Sequence, residues 1–372
     1  GVDIGRHGIK LVQVARDGDG AWRVIASAVR DIPRNLAEDG PERSAFIVEA
    51  ITSMRSQAPF VGSQCISCLP AGIFEYKNVQ MPKMPPAELA TALSWEAGKR
   101  LGLDRSMVRQ AHYDAGEVSD GDDKRREVVL MAAPNAALEE HVSLLVQAGL
   151  KPVRVDAIPT ALARAVLADA PAEDETARLV VDLGYDAAKV LILSGHRIVF
   201  FKTVDVGART VDHGISEACD VSMDDAAEKR SIAADDPVVV EARTRAVKEL
   251  AAEVSLCLRY YSVTFHAERP GELIVTGGWS TDDSVVAQLG KALNVPVSRL
   301  GEAADDARSP ACAGGSALSL RQRAGTGRTG DGQSTCFLPE SYVRRAARRR
   351  VYQRYAAGLA AMVLVMVGLG FQ

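Results

Sequence analysis

One pattern constrains this chain more than any other: a three-strand unit led by Asp-x-Gly occurs twice, about 180 residues apart. In the first copy Val2-Asp3-Ile4-Gly5 ends a strand, Ile9–Val14 forms a second after a polar turn, and Trp22–Val29 forms a third after Asp17–Gly20. In the second copy Val181-Asp182-Leu183-Gly184 is followed by strands at Lys189–Leu193 and Ile198–Val204, with a turn at Ser194-Gly195-His196 between them. Each copy places a lysine seven residues after its aspartate, Lys10 and Lys189. A single Asp-x-Gly is a common turn, but two in matching meanders predict a duplicated α/β fold whose halves face each other.

Such a pair of hairpins suits phosphate and magnesium. Glycine at a tight turn accepts positive φ and lets backbone N–H groups approach a phosphate, so Gly5 with Arg6 and Lys10, and Gly184 in the second copy, are candidate phosphate ligands. Asp3 and Asp182, each at a strand end, are candidate Mg²⁺ ligands, directly or through water. The plainer alternative is that both aspartates cap turns. A third element, Gly271–Gly278, is a buried-strand run ending in Gly277-Gly278 before a helix over about 284–293, an arrangement that lets a flat purine lie against backbone. Before it, a helix over about 240–264 places Val247, Leu250, Val254, Leu258 and Tyr261 on one core-facing stripe.

With 372 residues, 47% hydrophobic and 25% charged, the chain can build more than one packed unit. Its charge is unevenly spread: 38 basic against 47 acidic side chains precede residue 340, and six arginines against one glutamate follow from it. An acidic body repels phosphodiester backbones, so nucleic acid is not the expected partner. After the arginines, Tyr355–Phe371 runs 17 residues without a charge, at the lower limit for crossing a ~30 Å hydrocarbon layer. The basic flank predicts a single-pass inner-membrane protein with its N-terminal body in the cytoplasm. Cys65 and Cys68 form an unpaired CxxC in an apolar strand and read as core.

Between the halves, Pro86 opens a helix carrying Leu89, Leu93 and Trp95. Strands follow at 107–113 and 128–133, a helix at about 136–148 stopped by Gly149, and a strand at 151–156. The phosphate-1 hairpin (Val2 to Gly5), phosphate-2 hairpin (Val181 to Gly184) and adenosine motif (Ile274 to Gly278) together resemble the actin/Hsp70/sugar-kinase superfamily, and the inserted α/β unit resembles the SHS2-type 1C subdomain of its FtsA branch. The wording MPxMP…WEAxxxL and VVLMAAPN…LLxxAGLKPVRVDAIPTALARA is similar to the type IV pilus assembly PilM family, over about residues 1–320. The resemblance implies a duplicated actin-like (ribonuclease H-like) ATPase fold: a first half at 1–77, an insertion at 78–155 and a second half at 156–322. It also implies ATP with Mg²⁺, a scaffold that is at most a slow ATPase, a possible homo-oligomer, and PilN/PilO-like inner-membrane partners beside the pilus motor. Glu228 and Arg230 match the segment that contacts ribose and purine in relatives, a solvated helix face being the alternative.

Two departures stand out. The family's phosphate loops carry Ser/Thr hydroxyls, where this chain has Arg6-His7-Gly8 and Tyr185-Asp186-Ala187-Ala188, and Asp186 repels a γ-phosphate unless a cation intervenes. The tail (linker and peptide over 323–340, basic segment and span over 341–372) resembles the start of a PilN, with Phe337-Leu338-Pro339 as a candidate partner peptide for the groove beside the insertion. The alternative is that the peptide merely leads into the membrane. Other function classes are a degenerate secretion-platform protein similar to GspL that binds no nucleotide, and a small-molecule kinase of the same superfamily.

Overall fold

The computed structural model describes residues 1–16, 22–36, 40–69, 72–120, 123–167, 175–300, 336–339 and 341–344. In chain order the first part runs β1 (Val2–Ile4), β2 (Gly8–Arg16), β3 (Trp22–Asp31), α1 (Pro41–Gln57) and β4 (Gln64–Cys68). Next come β5 (Glu75–Pro82), α2 (Pro86–Leu101), β6 (Val108–Asp120), β7 (Asp123–Pro134), α3 (Asn135–Gln147), β8 (Lys151–Asp156) and α4 (Ile158–Val166). The remainder is β9 (Ala177–Leu183), β10 (Ala188–Ser194), β11 (Arg197–Val204), α5 (Ala208–Cys219), α6 (Met223–Ile232), α7 (Pro237–Phe265), β12 (Leu273–Thr276), α8 (Asp283–Leu293) and β13 (Val297–Arg299).

The duplication extends to topology. One five-stranded sheet has the order β3-β2-β1-β4-β8 and the other β11-β10-β9-β12-β13. Each is an antiparallel meander whose first strand continues into two parallel neighbours. In the second half the central strands are apolar on both faces, with Leu179–Val181 and Val190–Leu193 all buried, because helices or other strands cover each side. In α7 the side chain of Asp236 accepts a hydrogen bond from the Val238 N–H and Pro237 opens the helix, which ends at His266 in the left-handed region. Its expected stripe, Val247, Leu250, Val254, Leu258 and Tyr261, is buried throughout.

The insertion is a three-stranded antiparallel sheet, β5-β7-β6, with α2 on one face. Strand β7 alternates: Val128, Leu130 and Ala132 pack under Leu89 and Leu93 of α2, while Val129, Met131 and Ala133 join the core of the second half. One expectation differs here. Strand β8, read as closing an insertion at 78–155, instead pairs in parallel with β4, and α3 packs with α1. A short strand after a helix has no local mark of its partner, and here the parallel edge of β4 takes it. Trp95 stays 62% exposed, with the Arg105 guanidinium 4.7 Å from its ring centroid.

Cys65 and Cys68 are buried thiols outside any disulfide, and burial, with Asp3 nearby, pushes the Cys68 thiol up to about 12, so it packs rather than reacts. The expected span at 355–371, the linker and most of the arginine segment lie outside the described residues; among the described residues no helix is long and apolar enough to cross a membrane.

Candidate functional site

Asp3 lies in β1 directly opposite Lys10 of β2, with Nζ 3.8 Å from its carboxylate. Asp182 lies in β9 opposite Lys189 of β10, at 3.3 Å. The shared seven-residue spacing is therefore the cross-strand register of a tight hairpin, and each lysine neutralises its aspartate. Strand β12 runs parallel to β9 with Thr276 opposite Asp182, which carries Gly277-Gly278 to the second turn. Gly277 sits at φ 93°, and a Cβ there would overlap the Leu183 carbonyl and stand 2.5 Å from Asp182 Oδ1. Its glycine is required by the chain's own packing. Gly278, by contrast, faces open space.

The two Asp-x-Gly turns touch. Arg6 Nε lies 3.8 Å from Asp186 Oδ2, and His7 Nε2 and Arg209 Nη1 each lie 3.8 Å from Asp186 Oδ1. The His7 ring meets Tyr185 edge-on at 4.4 Å. Burial alone would raise the Asp186 carboxyl, but the nearby His7 ring, then Arg6 and Arg209, outweigh it and hold the pKa below the usual value. Backbone groups are also committed. The Ala208 and Arg209 N–H groups at the start of α5 donate to the Gly184 and Tyr185 carbonyls at 3.3 and 2.9 Å. On the other side buried Arg43, in the first turn of α1, donates to the Gly5 and Arg6 carbonyls at 2.8 and 3.0 Å.

A second tie crosses between the halves. Asp212, fully buried on α5, accepts from Tyr185 Oη at 2.8 Å and Arg230 Nε at 2.5 Å. Arg34, just after β3 in the first half, places Nη2 3.8 Å from Asp212 and Nε 2.8 Å from Asp224, and donates from Nη1 to the Met223 carbonyl at 3.1 Å. Burial, then Asp212, pushes the Tyr185 phenol up to about 12. Arg230, expected at ribose and purine, is thus bound to Asp212, and Glu228 stands on the exposed side of α6.

These residues do not fit a polyphosphate in this arrangement. A carboxylate stands among the cations, and the amides that open α5 already have acceptors. Nor do they present Mg²⁺ with a ligand set: Asp3 and Asp182 are each paired with lysine, and among the described residues no group of three or more His, Cys, Asp or Glu side chains gathers around a point. Two surface hollows lie elsewhere, one between β3 and α1 and the other along α2 beside Trp95.

On another face, residues 336–339 lie in a groove walled by Phe74, β8 and α3. The Phe337 N–H donates to the Val155 carbonyl at 2.9 Å, its ring meets Phe74 edge-on at 4.6 Å, and its side chain is 1% exposed. Leu338 and Pro339 are also buried. The Pro339 carbonyl accepts from the Tyr342 and Val343 N–H groups, and Ser341 Oγ donates to Glu139 of α3 at 2.9 Å.

A sequence model of the family described as type IV pilus assembly protein PilM matches residues 1–302. The chain belongs to the PilM family. Among solved structures, one described as the PilM-PilN type IV pilus biogenesis complex is 22% identical, with 80% of this chain and 87% of that chain covered at a TM-score of 0.67. The ethanolamine utilization protein EutJ from Carboxydothermus hydrogenoformans is 14% identical, with 86% and 87% covered and a TM-score of 0.54. Both likenesses concern the fold, the mixed α/β actin-like ATPase fold. No curated protein matches the chain. The PilM match contains both Asp-x-Gly turns and the insertion and ends before the docked 336–339 segment.

Sequence reasoning placed the two turns and the glycines beside them but missed Arg34, Arg43, Arg209 and Asp212. Arg34, Arg209 and Asp212 stand outside the repeated motif. A polar residue at a buried helix position, as Asp212 is between Val211 and Ile215, was the one available signal.

Proposed function

We propose that this PilM-family chain is a scaffold of a type IV pilus inner-membrane assembly platform, and that its groove between Phe74, β8 and α3 holds a Phe-Leu-Pro peptide supplied by its own tail. The observation that carries this is the seating of Phe337, buried against Phe74 with its N–H on the β8 carbonyl of Val155. A backbone hydrogen bond with an aromatic anchor is how extended peptides are commonly held on a sheet. The peptide precedes the arginine-rich segment and the apolar run at 355–371, so docking fastens the body beside the membrane-directed end of the chain. The solved complex of PilM with PilN supports a PilN-type partner for the same platform, and the proposal extends to PilO-like proteins and the pilus motor as further neighbours. The Asp186 arrangement favours a scaffold whose halves are held together without nucleotide, ahead of a kinase.

Tethering strengthens even a modest contact, because a peptide covalently joined to the body that holds it stands at roughly millimolar effective concentration. Hydrogen exchange on the full chain tests the reading. Phe337→Asp should speed exchange in β8 and the 72–76 segment several-fold while leaving α7 unchanged. Unaltered protection in β8 would remove the docked peptide from the proposal.

A further inference from the structure

Large apolar side chains stand exposed at the end of α2 on a loop that is firmly held. The helix closes at Gly102 in the left-handed region, with the Leu103 N–H donating to the Gly98 carbonyl at 3.0 Å. A Cβ on Gly98 would stand 2.9 Å from the Leu103 carbonyl, so the loop is folded tightly back on the helix. Asp104 then accepts from the Ser106 N–H and hydroxyl at 2.8 and 2.6 Å, and the Ser106 carbonyl accepts from Asn135 Nδ2 at 2.9 Å. Leu103 and Met107, both exposed, flank Arg105 in this loop, and the Arg105 guanidinium lies over the exposed Trp95 ring. The neighbouring carboxylates are engaged, Glu96 by Arg100 at 2.5 Å and Asp104 by Ser106, while Lys99 and Arg105 are exposed.

We propose that Trp95, Leu103 and Met107, with Lys99 and Arg105, form a contact surface for the headgroup region of an anionic bilayer. The inference rests on the scaffold reading above, in which the tail leads to the membrane. A bilayer is favoured over another protein by the place where the tail leaves the body. Ser341 bonds Glu139, one turn along α3 from Asn135, and Asn135 bonds Ser106. The tail's exit and the Trp95 loop are therefore neighbours on one end of the molecule, where Val343 adds another exposed apolar side chain. Ten residues, 345–354, separate the last described turn from the apolar run at 355–371. They reach about 35 Å when fully extended and about 15 Å as a helix, so this end of the body cannot stand far from the hydrocarbon. Tryptophan settles at the boundary between headgroups and acyl chains, and lysine and arginine beside it meet anionic headgroups. Because the tail already holds the body there, the contact needs little affinity of its own, and its effect is to fix the orientation of the insertion against the membrane.

The test is tryptophan fluorescence of the full chain reconstituted into vesicles of phosphatidylcholine and phosphatidylglycerol, with and without brominated acyl chains, after flotation. Trp95→Phe, a change at an exposed position, supplies the reference, so that the difference between the two chains is the Trp95 emission. In brominated vesicles that emission should fall at least twofold. Lys99→Glu combined with Arg105→Glu should remove most of the quenching, as should vesicles of phosphatidylcholine alone. A chain that floats with the vesicles but gives equal Trp95 emission in both lipids would overturn the inference and leave the docked tail and the scaffold reading in place. A blue-shifted but unquenched Trp95 would also overturn it, by assigning the face to a protein contact. Quenching that survives both charge reversals and the loss of phosphatidylglycerol would overturn the anionic contact. A chain that does not float would overturn both readings, because nothing would then bring this end to a membrane.

Discussion

Lys189 stands opposite Asp182 in the β9–β10 register with its Nζ 3.3 Å from the carboxylate, and Lys10 repeats the relationship with Asp3 at 3.8 Å in the other half. The two pairs differ in burial. The Lys189 and Asp182 side chains are 13% and 18% exposed, against 27% for each member of the first pair. Removing one charge from the more buried pair leaves its partner poorly solvated, at a cost of about 1–3 kcal/mol. Asp182→Asn should therefore lower the denaturant midpoint clearly, and Asp3→Asn should lower it less. Urea titration of both variants checks the order; equal losses would mean that burial does not separate the pairs.

How much of this was legible in the sequence follows from where each signal lives. The repeated Asp-x-Gly and the lysine seven residues on are local, because a hairpin register is local, so both three-strand meanders and both turns could be read from the chain alone. The helices announced themselves through Pro86, Gly149 and the α7 stripe. What joins the halves is not local. Arg34 reaches Asp224, and Arg6 reaches Asp186, through packing that no spacing encodes. Arg230 was placed at the ligand because its segment matched a motif, whereas the buried charge of Asp212 claims it. Strand β8 went to β4 for a similar reason, since strand partners separated by an insertion are chosen by the sheet that has a free edge.

Glu127 is buried in β7 with one carboxyl oxygen on Tyr260 Oη at 2.6 Å and the other without a hydrogen-bond partner. Burial raises its pKa, and the hydrogen bonds from Tyr260 and Gln80 offset this only in part. A carboxyl whose folded pKa lies above its unfolded value contributes stability that is complete below the unfolded pKa, near 4.5, and is lost as pH rises through the folded value. Glu127→Gln should therefore flatten this part of the pH dependence and leave the chain at least as stable as the unaltered protein at neutral pH. Denaturant midpoints at neutral pH and near pH 5 check it. A lower midpoint at neutral pH for Glu127→Gln would mean the charge is needed.

His141 on α3 has the opposite sign. It is buried against Ser67, with Nε2 2.9 Å from Oγ, while Ser67 Oγ also reaches the Val2 carbonyl at 3.0 Å. Burial pushes its pKa down to about 4, so the folded chain holds it neutral while the unfolded chain protonates it below 6.5. Stability is complete above that value and falls as pH drops from 6.5 toward 4, by at most about 3 kcal/mol. In His141→Gln the slope across this window should shrink, whatever the variant's absolute stability. Comparing the slopes of the two chains isolates the effect, and an unchanged slope would assign the acid sensitivity to other groups.

Gly277 and Gly278 are adjacent, and both read as ligand-facing from sequence, yet their backbones make opposite demands. Gly277 has φ 93° and no room for a Cβ beside the Leu183 carbonyl and Asp182, so alanine there combines an unfavourable left-handed backbone with overlap against the second Asp-x-Gly strand. The two costs together amount to about 2–4 kcal/mol. Gly278 meets no atom within 4 Å of a built Cβ and opens the turn that leads to α8. Gly278→Ala should therefore unfold within a few degrees of the unaltered chain while Gly277→Ala melts well below it, and calorimetric melting of the pair checks the contrast. If the two substitutions cost the same, Gly277 is not a packing glycine, and the contact between the β12 end and Asp182 would need another explanation.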